Sequence, residues 1–184
     1  AEAFRAAHAF FMVSGTTGSV QAMVLSAVGR GDKIIMPRNV HRSAINALIL
    51  CGAVPIYVNP GIEDTLGIAL GMRTDDVAAA MERHPDAKAV FVNNPTYYGI
   101  CSDLRAITEK AHARGMKVLV DEAHGTHLYF SDRLPTAAMD AGADMAAISM
   151  HKSGGSLTQS SILLCADTMP LGYVHQIINI TQTT

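Results

Sequence analysis

Lys152 follows an apolar run, Met145 to Met150, and is held among small polar residues and glycines from Ser149 to Thr158. A lysine in that setting is placed to react, because apolar or cationic neighbours lower its pKa and leave a nucleophilic amine able to form an imine with an aldehyde. The other reading is a phosphate-binding or exposed loop lysine. Asp121 closes a second apolar run within Val118–Gly125. A carboxylate at the end of a buried strand is costly unless it meets a cation or several donors. A protonated pyridine nitrogen is one such partner; a helix cap or a structural ion pair is another. An acid and a lysine at two strand ends can hold opposite ends of one flat, charged cofactor.

Other polar residues follow the same logic. Ser14-Gly15-Thr16-Thr17-Gly18-Ser19 reads as a strand-to-helix turn, in which glycines let the backbone approach an anion and hydroxyls donate to it. It is either a phosphate cradle or an ordinary capped turn, and it matches neither a Walker loop nor a dinucleotide fingerprint. His41, after a strand and Pro37, is a candidate to stack on a planar ring, or simply a histidine at a helix start. His124 is a candidate donor to a phenolic oxygen, or a satisfied core histidine. Glu122, next to Asp121, points to the other face if the strand continues. Thr96, Tyr97 and Tyr98 follow the turn signal Asn94-Pro95 and either line a site or pack on the next helix.

The elements that must position these groups alternate. Apolar runs at Phe10–Val13, Lys33–Met36, Pro55–Val58, Ala89–Val92, Lys117–Val120, Ala143–Met150 and Ser161–Cys165 read as strands. Helical stretches fall at Gly18–Val28, His41–Leu50, Thr74–Arg83 with Thr74 as N-cap, and Leu104–Arg114 capped by Ser102 or Asp103. A loop is expected from Gly61 to Gly71, and no closing element after the apolar stretch Val174–Ile178. Such alternation predicts an α/β fold of three layers, α/β/α, with a mainly parallel sheet. Ligands bind at the carboxyl ends of the strands in these sheets, where the polar segments gather.

Bulk properties agree. At 184 residues the chain is long enough for one sizeable core. A hydrophobic fraction of 49% with only 16% charged residues suits a sheet covered on both faces. The net charge of -2 argues against nucleic acid or an acidic membrane surface as partner, and the apolar runs are too short to span a bilayer. Cys51, Cys101 and Cys165 are dispersed, which points to a reducing compartment and small packing residues rather than disulfides. His124 and His127 lack a third ligand at recognisable spacing, so no metal is expected. The chain opens at Ala1 without a methionine, and both ends read as cut, so a fragment is expected.

Three segments carry a resemblance: Asn94–Ile100, Val120–His127 and Ser149–Gln159. In the order phosphate-type loop, ring-stacking histidine, Asn-Pro turn, strand-terminal Asp and Ser-x-His-Lys, the chain resembles the large domain of pyridoxal-phosphate enzymes of the aspartate-aminotransferase fold type. More narrowly it is similar to the Orn/Lys/Arg decarboxylase family, with the Gly-Gly-Ser-Leu-Thr-Gln continuation after the lysine setting it apart from aminotransferases. The resemblance implies pyridoxal 5'-phosphate as cofactor, with Lys152 forming the internal aldimine and Asp121 paired with the pyridinium nitrogen. It places Ala123 and His41 on opposite ring faces. It gives the phosphate to Thr16, Thr17 and Gly18 with help from Ser149 and His151, and makes His124 a cofactor contact. His151 or the freed Lys152 would return a proton to Cα.

The function so implied is decarboxylation of a basic amino acid, with arginine favoured over lysine and ornithine, by a cytoplasmic homodimer or larger homo-oligomer in polyamine biosynthesis. Residues 1–184 would be the cofactor-binding large domain, without an N-terminal segment and a C-terminal small domain. The alternatives are an aminotransferase or carbon-sulfur lyase on the same scaffold, and a cofactor-binding fragment without turnover.

Overall fold

The computed structural model describes residues 1–182. After a 3-10 turn at Glu2–Phe4 come β1 (His8–Met12), α1 (Gly15–Ala27), β2 (Lys33–Pro37), α2 (Arg42–Cys51) and β3 (Val54–Val58). A short hairpin, β4 (Ile62–Glu63) and β5 (Ile68–Ala69), leads to α3 (Thr74–Arg83), β6 (Ala89–Asn93), α4 (Leu104–His112) and β7 (Lys117–Glu122). A second 3-10 turn, Thr126–Phe130, precedes β8 (Met145–Ser149), α5 (Met150–Ser153), β9 (Ser161–Cys165) and α6 (Leu171–Thr181).

The main sheet has the order β1-β9-β8-β7-β6-β2-β3. The pairs β2/β3, β2/β6, β6/β7 and β7/β8 are parallel, whereas β9 runs antiparallel to both β8 and β1. Every strand of this sheet except β9 therefore ends at one edge, and β9 begins there.

Strand alternation sends side chains to two cores. Val90, Val92, Val118 and Val120 pack with Val77 and Met81 of α3 and with Leu104 and Ile107 of α4. Phe91, Leu119 and Ala147 pack on the opposite face with Val20, Met23 and Val24 of α1, Ala44 and Ala47 of α2, and Val174 and Ile178 of α6. Fully burying a large apolar side chain contributes about 1.5–3 kcal/mol, so strands apolar on both faces settle at the middle of a three-layer α/β/α sandwich. The expected fold class holds.

Several boundaries differ from those the sequence predicts. Helix α1 begins at Gly15 rather than Gly18, because Gly15 adopts φ +68 and turns the chain into the helix early. Arg73, not Thr74, is the N-cap of α3, and no side chain caps that helix. Asp103 caps α4 by accepting from Ala106 N at 3.1 Å, while Ser102 Oγ accepts from Met72 N at 3.0 Å. The expected loop from Gly61 to Gly71 contains the β4–β5 hairpin. The apolar stretch near the end belongs to α6, whose Val174 and Ile178 are buried over α1.

Candidate active site

Two strand ends carry side-by-side polar groups. Asn93 ends β6 and pairs in register with Asp121, the penultimate residue of β7. Both share the parity of Phe91 and Leu119, so both face the α1 side of the sheet. Glu122 takes the opposite face, as its position predicts, where Tyr129 Oη donates to it at 2.6 Å and Ala138 N at 2.8 Å. One strand thus presents two carboxylates to two environments.

Asp121 is 4% exposed and borders a cavity of about 410 Å³. Burial pushes its carboxyl pKa up; a hydrogen bond from Ala123 N at 3.2 Å and the charges of His41 and Lys152 oppose that rise. Among the described residues no Lys, Arg or His forms an ion pair with it. It is a buried acid facing a cavity that would welcome a cation.

Lys152 enters the same cavity from α5, the single turn that follows β8. Its Nζ donates to Nε2 of His124 at 3.3 Å. Partial burial, then the Lys152 charge and that of His41, hold the His124 pKa below the usual histidine value, which keeps Nε2 free to accept. Tyr97 packs edge-on against His124, with centroids 5.5 Å apart, and also lines the cavity. Thr126 Oγ1 donates to Ser149 O at 2.9 Å and ties the segment after Asp121 to the end of β8, which leads into α5 and Lys152.

The third wall is the start of α1. Ser14, Gly15, Thr16 and Thr17 line the cavity. The first N–H groups of a helix have no intrahelical acceptor and favour negative charge. Thr16 Oγ1 is buried without a hydrogen-bond partner among the described residues. Gly18 lies beneath this turn: a Cβ there would stand 1.9 Å from Ser14 Oγ, so the Ser14 side chain occupies the space a larger residue would fill. His41 caps α2, its Nδ1 accepting from Ser43 N at 3.2 Å and from Ser43 Oγ at 2.8 Å, and its ring borders the cavity.

Thr16, Thr17, His41, Asp121, Ala123, His124, His151 and Lys152 therefore share one cavity. Gly18 and Ser149 are buried behind its wall. Ser149 Oγ accepts at 3.3 Å from His151 Nδ1, whose N–H also donates to Ser160 O at 3.1 Å. Asn39, Asn93 and Gln159 also line the cavity; none was named as a site residue from the sequence, although Gln159 closes a segment that carries the resemblance. Strand parity with Asp121 is the signal that would have found Asn93. Gln159 carries no such signal; it reaches the cavity through a left-handed turn, φ +56.

These residues fit pyridoxal phosphate. Thr16 and the open helix N–H groups suit its phosphate, a buried carboxylate suits its ring nitrogen, and the Lys152 amine lines the same cavity. Residues 1–184 match the family described as Orn/Lys/Arg decarboxylase, major domain. The chain belongs to this decarboxylase family. It is 55% identical to the arginine decarboxylase of Bacillus subtilis (strain 168) over 163 residues, covering 89% of this chain and 33% of that protein. It is 51% identical to the arginine decarboxylase of Bacillus cereus over 185 residues, covering 100% of this chain and 40% of that one. The chain thus spans between a third and two fifths of the length of these relatives. The crystal structure of the Francisella novicida lysine decarboxylase superposes with a TM-score of 0.88 at 20% identity, over 100% of this chain and 27% of that one. The fold of this decarboxylase-family chain is that of the large domain of fold-type-I pyridoxal-phosphate enzymes. Among the described residues no group of three His, Cys, Asp or Glu side chains is arranged to hold a metal, and no helix is long and apolar enough to cross a membrane.

Proposed function

We propose that the protein decarboxylates a basic amino acid, arginine in preference to lysine or ornithine, with pyridoxal 5'-phosphate bound in the cavity between α1, β7 and α5. The observation that carries this reading is the placement of Lys152, the buried Asp121 carboxylate and Thr16 on one cavity. The naming of its Bacillus relatives as arginine decarboxylases supports the choice of substrate.

When bound, the cofactor supplies an aldehyde for the amine and a protonated ring that takes up the electron pair as carbon dioxide leaves. Asp121 holds the proton on the ring nitrogen, since a buried carboxylate gains most from a cationic partner. Lys152 is the amine of the resting site, and His124 orients its Nζ. Thr16, Thr17 and the first N–H groups of α1 bind the phosphate. Gly18 admits the Ser14 side chain beneath them, and Ser149 steadies the His151 ring beside them. His41 and Ala123 confine the ring. Either His151 or Lys152, both of which line the cavity, would return a proton to Cα.

A homodimer or larger homo-oligomer belongs to the same proposal. It is supported by Tyr97 on the cavity wall, 77% exposed, and by Leu157 in the loop after Lys152, 89% exposed. A cytoplasmic site and an amine product that feeds polyamine biosynthesis complete it, the free cysteines being in keeping with a reducing compartment.

The test uses the full-length protein with cofactor and, separately, arginine, lysine and ornithine. Release of carbon dioxide with the matching amine, fastest from arginine, is expected. Lys152→Ala should lose both the visible absorbance of lysine-bound cofactor and at least about 1,000-fold of the rate, as for other covalent catalytic groups. Keto-acid formation without carbon dioxide would overturn the decarboxylase reading in favour of amino transfer.

A further inference from the structure

Behind the cavity, two hydroxyls are buried away from every group proposed to touch cofactor. Ser19 on α1 is 0% exposed and Ser161, the first residue of β9, is 1% exposed. Their oxygens lie 2.7 Å apart, and Ser161 Oγ also donates to Ile148 O at 2.7 Å. The Ser161 proton is thereby committed to Ile148 O, a carbonyl that can only accept. The Ser19 hydroxyl must therefore be the donor to Ser161 Oγ. A directed chain runs from α1 through β9 to the end of β8.

The two ends of that chain matter. Ser19 lies three residues after Thr16 on α1, so both occupy one helix face, and Thr16 lines the cavity. Ile148 is followed by Ser149, the last residue of β8, and then by His151 and Lys152 on α5, and Ser149 pairs in register with Ser161. Hydrophobic burial is non-directional, so by itself it constrains the setting of a helix on a sheet less sharply than a hydrogen bond does. A buried hydrogen bond permits one setting, since losing it leaves desolvated polar atoms unpaired.

We propose that the Ser19–Ser161 hydroxyl pair is a positioning device that fixes the phosphate-binding first turn of α1 relative to Lys152. This rests on the cofactor reading given above. Neither serine touches cofactor; each acts through the elements it joins.

The test compares pyridoxal phosphate with pyridoxal, which keeps the aldehyde and ring but lacks the phosphate. Both are titrated into the full-length protein, and affinity is read from the visible absorbance of lysine-bound cofactor, with melting temperature followed in parallel. Wild type should bind the phosphorylated form far more tightly. Ser19→Ala and Ser161→Ala should each lose about 10-fold in affinity for pyridoxal phosphate, the scale of one hydrogen bond, while affinity for pyridoxal stays within about twofold. Equal weakening toward both compounds, or an unchanged ratio, would overturn the positioning role and leave the cofactor reading intact. No preference for the phosphorylated form in wild type would overturn the phosphate assignment of α1 and this inference with it. Should an alanine variant fail to fold, Ser161→Cys, close in volume and a weaker donor, is scored by the same ratio.

Discussion

Asp121 and Glu122 are chemically alike and adjacent, yet the sheet gives them opposite tasks. Asp121 faces a cavity, and its ionised form waits for a cation. Asp121→Asn should lower decarboxylation by about 150- to 5,000-fold, the scale of 3–5 kcal/mol for removing one member of a buried charge pair. The same change should raise the melting temperature of cofactor-free protein, because it removes a buried charge with no ion partner among the described residues. Steady-state rates and a thermal melt check the two halves. Glu122 is held within the protein, and burial pushes its pKa up from 4.5 to about 8 against the hydrogen bonds from Tyr129 and Ala138. The folded protein then keeps a proton that the unfolded chain releases. Its stabilising effect is full below pH 4.5 and is lost as pH rises through about 8. Melting temperatures between those values should fall with rising pH in wild type, by the equivalent of a few kcal/mol, and Glu122→Gln should flatten that slope.

At the scale of elements, the site depends on where helices start. A cap at Ser102 or Asp103 was legible because polar residues precede an amphipathic run, and the bond to Ala106 N assigns it to Asp103. Asp103→Ala should cost about 1 kcal/mol, read as a lower melting temperature with cofactor affinity unchanged. The start of α1 was less legible. Gly15, Thr16 and Thr17 have weak helix propensity and read as turn, yet the left-handed Gly15 and the packing of α1 over β8 and β9 bring them into the helix. The shift matters, since it puts Thr16 and Thr17 among the open N–H groups rather than in a loop before them. The hairpin β4–β5 escaped notice for a different reason: two-residue strands leave no periodicity to read.

Across the whole molecule, chemistry and stability occupy opposite edges of the sheet. At the edge away from the cavity, Asp144 is 1% exposed just before β8. It accepts from His112 Nε2 at 2.8 Å, Lys117 Nζ at 3.0 Å, Thr168 Oγ1 at 2.5 Å and Val118 N at 2.8 Å. Burial raises its pKa, but these donors outweigh burial and hold the carboxyl below its ordinary value. Its stabilising effect is therefore present above the unfolded value of 3.8 and is lost as pH falls through the lower folded value. Asp144→Asn should cost about 3 kcal/mol at neutral pH, where it removes the charge from a buried network. It should also blunt acid unfolding below pH 3.8. Circular dichroism on an acid titration measures both, and cofactor binding at the far edge should persist.

The sequence by itself determined the strand–helix alternation, the parallel character of the sheet, the family, and the position of Asp121 at a strand end and of Lys152 just past another. Those features are written locally, in apolar periodicity and in residue types at strand ends. Only the tertiary structure decided which polar groups meet. Strand order places Asn93 beside Asp121, helix packing puts Thr16 on the cavity wall and sinks Gly18 and Ser149 behind it, and the reversed β9 brings Ser161 beneath α1. Residues far apart in the chain carry no local sign of their partners, because register and packing over a shared core fix their distances.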